Sequence, residues 1–449
     1  MNDTICAVST ALGVGAISII RVSGTDSISI VNDIFKGKDL LKVESHTINY
    51  GYIVENNEKI DEVLVSVMKS PRTFTREDIV EINIHGGIAI TNKVLEILLN
   101  HGCRLAEPGE FTKRAFLNGR IDLIEAEGVM NLINSKTEKS RKSAINEVNG
   151  EVSKLIKDLR QNIIELLANI EVNIDYPEYE DIEEMTIEKL LFNLDDIELK
   201  INNIIKKSED SKIINDGIKT IIIGSPNVGK SSILNKLLNE EKAIVTSIAG
   251  TTRDIVEGKV QIDGIVLNMI DTAGIRKTDD IVESIGVKKS LDLIEDADLI
   301  LYVINNNEEI TQDEKTILSK LKDKNSIIIV NKIDLDNKAD LSILPSFIEM
   351  SVKDNKGIDE LKNKIKDMFN LEQIDTSDYT YLSSARSLSL LKSTLNSLND
   401  VRDGINNHMP IDMVEIDLKN AWSILGEIVG ETYTDELIDQ LFSQFCLGK

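Results

Sequence analysis

Residues 224–231 read Gly-Ser-Pro-Asn-Val-Gly-Lys-Ser, between the apolar run Ile221-Ile222-Ile223 and the apolar pair Ile233-Leu234. The G-x-x-x-x-G-K-S spacing predicts a strand, a phosphate-binding loop and the start of a helix. Glycines in such a loop let backbone N–H groups close on phosphate oxygens. Lys230 would reach the β- and γ-phosphates, and Ser231 would offer its hydroxyl to Mg²⁺. The helix N-terminus adds partial positive charge beneath the phosphates. Asn227, Val228, Gly229, Lys230, Ser231 and Ser232 are the candidate contacts of this loop.

Three further motifs follow in an order that makes the nucleotide a guanine nucleotide. Asp271-Thr272-Ala273-Gly274 closes the apolar run Ile265 to Ile270, where a carboxylate is needed beside the metal water and a Gly N–H beside the γ-phosphate. Asn331-Lys332-Ile333-Asp334 ends the run Ile327-Ile328-Ile329-Val330. A carboxylate at Asp334 can accept two hydrogen bonds from guanine N1 and N2, donors that adenine lacks. Ser351-Val352-Lys353 then fits a loop that buttresses the base. Each motif falls at the C-terminal edge of an expected strand, where open α/β sheets bind ligands.

The residues between the motifs distinguish among GTPases. In Ras-like enzymes a Gln after Asp-Thr-Ala-Gly orients the attacking water; here it is Ile275, which cannot. Arg253 and Arg276 read as solvated residues more readily than as an internal arginine finger. Asn227 and the segment Thr246, Ser247, Ile248, Ala249, Gly250, Thr251 and Thr252 offer another way to meet transition-state charge. The Asn227 carbonyl with oxygens of Thr246, Ile248 and Thr251 could hold K⁺ where a finger would otherwise sit. Thr252 would supply the second protein hydroxyl to Mg²⁺. A water-orienting carboxylate could come from Asp279, Asp280 or Glu283, among which these residues alone do not choose.

The elements needed to position these groups are legible as changes of period. Residues 1–117 mix strands (Ile17–Val22, Val63–Met68, Ile79–Ile84) with a helix from Ile88 to Asn100, an α/β domain with its own core. Ala11 to Ile20 is too short to span a bilayer and is expected to be a buried strand. Residues 118–214 turn helical: Val152, Leu155, Ile156, Leu159, Ile163, Leu166, Leu167 and Ile170 recur at helical spacing, as do Leu190, Leu194, Ile197 and Ile201. The GTPase-like segment occupies 215–372, and helical periodicity returns over 373–449. The economical arrangement is a discontinuous helical domain interrupted by an inserted Ras-like P-loop module. The expected fold class is multidomain α/β plus all-α.

Composition constrains partners. Lys and Arg number 51 against 76 Asp and Glu, a formal charge of −25, which excludes a non-specific nucleic-acid binder with a broad basic face. Three cysteines (Cys6, Cys103, Cys446) suggest neither a disulfide framework nor a metal cluster, and fit a reducing cytoplasm.

From end to end the chain resembles the MnmE (TrmE) family of tRNA modification GTPases. The likeness is carried by Gly13-Val14-Gly15-Ala16-Ile17-Ser18-Ile19-Ile20-Arg21-Val22-Ser23-Gly24, by Phe74-Thr75-Arg76-Glu77-Asp78-Ile79-Val80-Glu81 with His85-Gly86-Gly87, and by Pro108-Gly109-Glu110-Phe111-Thr112-Lys113-Arg114-Ala115-Phe116-Leu117-Asn118-Gly119. The closing Cys446-Leu447-Gly448-Lys449 resembles the family's terminus.

The resemblance implies a dimerising N-terminal domain that binds a 5-formyltetrahydrofolate-type folate through Arg21, Glu81 and, where the family usually has Lys, Arg120. Without it, Arg21 and Glu81 would read as a structural ion pair. It points to Glu283 as the water-orienting carboxylate, to Cys446 as a catalytic thiol and to Lys449 as a folate contact. It further implies a homodimer and an FAD-dependent MnmG (GidA)-type partner in a heterotetramer. The tRNA substrate would be modified at C5 of the wobble uridine by a potassium-dependent GTPase. The competing expectation is an Era/Der-like ribosome-assembly GTPase, which would carry a basic RNA-binding appendage.

Overall fold

Alternating apolar residues build the first sheet: β1 (Ile5–Val8), β2 (Ile17–Ser23), β3 (Phe35–Lys36), β4 (Thr47–Glu55), β5 (Glu58–Met68), β6 (Ile79–His85) and β7 (Arg104–Leu105). The computed structural model describes residues 3–175, 187–240, 256–262, 265–270, 294–295, 297–322, 324–369 and 380–448. The strand order is β3-β4-β5-β6-β2-β1-β7. Along β5, Val63, Val65 and Val67 are buried while Leu64 between them is exposed, the period of two that a one-sided sheet requires. Helices α1 (Ser27–Ile34) and α2 (Ile88–Asn100) cover the inner face, with Val31, Ile34, Val94 and Ile97 packed on Val65 and Ile82. The outer face leaves Ile17, Ile48, Tyr50 and Leu64 exposed.

The expected buried strand from Ala11 to Ile20 is corrected. Only its end belongs to β2, and residues 11–17 are exposed, Val14 by 93%. Gly13 and Gly15 offer no side chain to bury, and Gly15 N donates to Gly86 O at 2.8 Å, which holds the segment as a loop against the strand end.

Helices α3 (Glu110–Leu117), α4 (Leu123–Asn134), α5 (Glu138–Val148), α6 (Glu151–Asp175) and α7 (Ile187–Asp216) follow. In α6 the stripe Val152, Ile156, Leu159, Ile163, Leu166 and Ile170 is buried throughout, as its helical spacing dictates.

The second sheet comprises β8 (Ile218–Gly224), β9 (Val256–Ile262), β10 (Ile265–Ile270), β11 (Leu299–Asn305), β12 (Ser326–Asn331) and β13 (Ile348–Met350). Its order is β13-β12-β11-β8-β10-β9, parallel except for β9. Every residue of β11 is buried. Leu299, Leu301 and Val303 join one core and Ile300, Tyr302 and Ile304 the other, which explains a continuous apolar run in place of alternation. Helices α8 (Lys230–Glu240), α9 (Gln312–Lys320) and α10 (Ile358–Met368) flank this sheet in sequence.

The chain continues into α11 (Ala385–Asn406), α12 (Ile411–Val429) and α13 (Asp435–Phe442), with α12 packed on α6 and α11. Arg160 of α6 lies 3.9 Å above the Trp422 ring of α12, and Arg402 of α11 reaches Asp195 and Glu198.

Two compact units divide the chain. One holds Met1–Met130, Ile145–Ile201 and Ser384–Lys449, and the other Asn131–Ala144 and Asn202–Ser383. Among the described residues no helix is long and apolar enough to cross a membrane.

Candidate functional site

The phosphate-loop sequence folds as its glycines demand. Gly224 ends β8 at φ +151°, where a Cβ would run into the Val303 carbonyl of the neighbouring strand. Gly229 sits at φ +101°, and a Cβ there would strike Asn331 Nδ2. Asn227, exposed, holds φ +61°, a left-handed conformation that Asn tolerates better than most residues. Val228 is buried, and Lys230, Ser231 and Ser232 form the first turn of α8.

Lys230 Nζ folds back over the loop and donates to Gly224 O and Ser225 O, both at 2.7 Å. Burial holds its pKa below the ordinary lysine value. A phosphate anion placed there would favour the charged form again.

The base-side motifs converge on the same sheet edge. Asn331 ends β12 almost fully buried, and its Nδ2 donates to Val228 O at 2.8 Å. Its Oδ1 is buried without a partner among the described residues. Lys332 takes φ +64°, which turns the chain so that Asp334 faces the loop after β13. There Ser351 Oγ donates to Asp334 Oδ1 at 2.9 Å, and Lys353 Nζ lies 3.9 Å from Oδ2. A carboxylate held from one side, with Lys353 largely exposed beside it, keeps acceptor capacity for a base.

In the first sheet, Arg21 and Glu81 are cross-strand partners of β2 and β6. Arg21 Nε and Nη2 both donate to Glu81 Oε1, at 2.9 and 2.8 Å. The Arg21 guanidinium lies 5.8 Å from the Phe74 ring centre and 5.6 Å from that of Phe111. Arg120, exposed, stands 4.9 Å from the Phe74 ring and donates to Phe74 O at 3.3 Å. Phe74 therefore joins two cations that lie 99 positions apart in the chain.

The turn bearing Phe74 is fixed by a buried polar network. Ser23 Oγ bonds Thr75 Oγ1 and Glu77 Oε2, each at 2.8 Å, and Glu77 also accepts from Arg114. Arg114 is 1% exposed and is met by Asp3, Glu77 and Glu110, so its charge is compensated. Burial works against the Glu110 carboxylate, but hydrogen bonds from Arg104, the Glu107 backbone and Arg114 keep its pKa below the usual value.

Cys446 is exposed. Its segment is pinned at two points: Gly109 N donates to Cys446 O at 3.3 Å, and Ser9 Oγ donates to Gly448 O at 3.2 Å. Gly448 packs so closely that a Cβ would meet Val8 O. Val8 follows Ala7, the cross-strand partner of Arg21, so residues 446–448 are tied to the strand pair that carries Arg21.

Thr246, Ser247, Ile248, Ala249, Gly250, Thr251, Thr252, Asp271, Thr272, Ala273, Gly274, Glu283 and Lys449 lie outside the described residues. Sequence reasoning did not single out Phe74, Phe111 or Gly109, although all three fall inside the family-like blocks. Among the described residues no cluster of three or more His, Cys, Asp or Glu could hold a metal ion.

A glycine-bounded loop with a lysine folded over it, at the C-terminal edge of a parallel sheet, defines a P-loop nucleotide-binding protein. The family models narrow this. That of the MnmE helical domain matches residues 123–446, and that of the GTP-binding protein TrmE N-terminus matches residues 4–120. Curated relatives named tRNA modification GTPase MnmE include one from Bacillus mycoides at 55% identity, covering 100% of this chain and 99% of that protein. Another, from Streptococcus thermophilus, is 53% identical (100% and 98%), and one from Staphylococcus aureus is 52% identical (100% and 99%). The chain belongs to the MnmE family.

Proposed function

We propose that this chain is a cytoplasmic, potassium-dependent GTPase of tRNA modification. With an FAD-dependent partner of the MnmG type, it would add a carboxymethylaminomethyl group at C5 of wobble uridine 34, drawing one carbon from a formyltetrahydrofolate. The observation that carries the nucleotide half is the convergence of Lys230, Asn331 and Asp334 at one sheet edge. Lys230, released from its own loop carbonyls, binds β- and γ-phosphates, and Asp334 accepts from guanine.

Ser231 and Thr252 would hold Mg²⁺, and the exposed, left-handed Asn227 with oxygens of Thr246, Ile248 and Thr251 would hold K⁺. These ions supply positive charge against the phosphates, the task that Ile275 and the lack of an evident arginine finger leave open. Glu283 would orient the attacking water.

The one-carbon half rests on Arg21, Glu81 and Arg120 around Phe74, with Lys449 as a further folate contact. Two guanidiniums beside one ring suit a ligand that is aromatic at one part and anionic at another. Cys446 would act from the segment tied to β1. GTP hydrolysis would drive the opening and closing of paired G domains without supplying the modifying chemistry. The proposed domains are 1–117, 118–214 with 373–449, and 215–372. The exposed apolar face of the first sheet supports a homodimer.

Mass spectrometry of wobble uridines tests this reading in a strain lacking the gene and complemented with the chain. Restored modification is the expected result. Unmodified uridines together with a ribosome-assembly defect corrected by the chain would favour the Era/Der-like alternative.

A further inference from the structure

Glu314 lies in the first turn of α9 and is 6% exposed. Its Oε2 accepts from Thr311 N at 2.9 Å and Thr311 Oγ1 at 3.1 Å, while Thr311 Oγ1 accepts from Glu314 N. This is a capping box, in which the carboxylate ordinarily serves only its own helix. Here the other oxygen leaves the helix: Ser225 Oγ donates to Glu314 Oε1 at 2.7 Å.

Ser225 is the second residue of the phosphate loop, and its carbonyl is one of the two that hold Lys230 Nζ. The hydroxyl and the carbonyl of one residue thus tie the loop in opposite directions, to α9 and to the loop's own lysine. Among the described residues the donors to the Glu314 carboxylate, Ser225 Oγ, Thr311 N and Thr311 Oγ1, are all neutral. A nearly buried carboxylate without a cationic partner is costly unless its hydrogen bonds are kept. The arrangement therefore favours retention of the Ser225 bond, which restrains the loop backbone just ahead of the glycine-rich turn.

We propose that Glu314 is a positioning residue for the phosphate loop, acting through Ser225 to set how tightly nucleotide is held. The proposal rests on the guanine-nucleotide reading above. When nucleotide draws Lys230 away from Gly224 O and Ser225 O, the Glu314 bond is the contact that keeps Ser225 in place. The loop then presents its N–H groups to the phosphates without first having to order.

The test uses the full chain and a fluorescent GDP analogue, with dissociation followed by stopped flow and hydrolysis by phosphate release. Ser225→Ala leaves the capping box intact and is expected to speed nucleotide release about tenfold, the scale of one hydrogen bond to a charged group. The melting temperature without nucleotide should fall by only a few degrees, since Glu314 Oε1 loses its donor, and KM should rise more than kcat falls. Glu314→Gln keeps an acceptor oxygen for Thr311 while its Nε2 donates to Ser225 Oγ, a hydroxyl that can accept as well as donate, and should restore release close to the wild-type rate, whereas Glu314→Ala should match Ser225→Ala. In the double variant Ser225→Ala/Glu314→Ala the two effects should not add. If wild type binds the analogue and Ser225→Ala releases it at the wild-type rate, or if the effects add in full, the positioning role is overturned while the nucleotide reading stands. If wild type binds no guanine nucleotide, both are overturned.

Discussion

Asn331 Nδ2 donates to the Val228 carbonyl at 2.8 Å although 103 positions separate them in the chain. The motif assigned to the base and the loop assigned to the phosphates are thereby joined directly. That bond sets the spacing between the two segments.

Gly229 is the residue that lets them approach. At φ +101°, with a Cβ position occupied by Asn331 Nδ2, it cannot become Ala without backbone strain and displacement of Asn331. Gly229→Ala is expected to cost about 1–3 kcal/mol of stability and to weaken nucleotide binding by at least about tenfold. Thermal unfolding and a fluorescent-nucleotide titration on the same variant measure the two effects.

Base choice should reside in Asp334. Changing Asp334→Asn keeps an acceptor for N1–H but puts a donor opposite the guanine 2-amino group, where xanthine has a carbonyl oxygen, at about 1–3 kcal/mol for the hydrogen bond lost. GTP hydrolysis should fall and xanthosine triphosphate should become a substrate, because its base offers the complementary acceptor. Turnover of ATP by the wild-type chain at a rate near that of GTP would contradict this assignment.

Potassium dependence can be separated from backbone effects. Turnover should rise steeply when K⁺ replaces Na⁺, in partial substitution for an arginine finger worth about 10³–10⁵ in rate. Asn227→Gly removes the carboxamide yet accepts the φ of +61° found there, so it should flatten the K⁺ response with nucleotide affinity nearly kept. Asn227→Ala should add a strain penalty of about 1–2 kcal/mol. Glu283→Ala should slow hydrolysis without weakening GTP binding. Equal wild-type rates in the two salts would rule the ion out.

The two chemistries should come apart at Cys446. Cys446→Ser is expected to abolish wobble-uridine modification and leave GTP hydrolysis within about twofold of normal, since the two groups of residues belong to separate compact units. Phe74→Ala and removal of Lys449 should instead weaken folate retention, for Phe74 by about 0.5–2 kcal/mol, the worth of a cation–π contact. Equilibrium binding of formyltetrahydrofolate and uridine mass spectrometry distinguish the outcomes. Full modification by Cys446→Ser would remove the thiol from the chemistry.

Local physics made much of this legible in advance. The strands bearing Arg21, Glu81 and Asn331 are short runs of β-branched residues whose extended preference does not depend on distant partners. The loop from Gly224 to Ser231 declares itself because only glycine tolerates φ of +151° and +101° at the required positions. The stripes of α6 and α7 needed only a period of 3.6. Ala11 to Ala16 departs from this: its apolar residues suggest core, but glycines at 13 and 15 supply no side chain to pack on, and the hydrogen bond from Gly15 N to Gly86 O holds the segment as a loop.

Other relationships required the folded chain. That Phe74 stands beside both Arg21 and Arg120, that Gly109 receives the segment of Cys446, and that Glu314 caps its own helix while holding Ser225 are contacts between residues far apart in sequence. No propensity or spacing encodes them, because each depends on which strand lies next to which and on the room left between them. Residue types along the chain set what chemistry was available. The order of strands in the two sheets decided which of those residues meet.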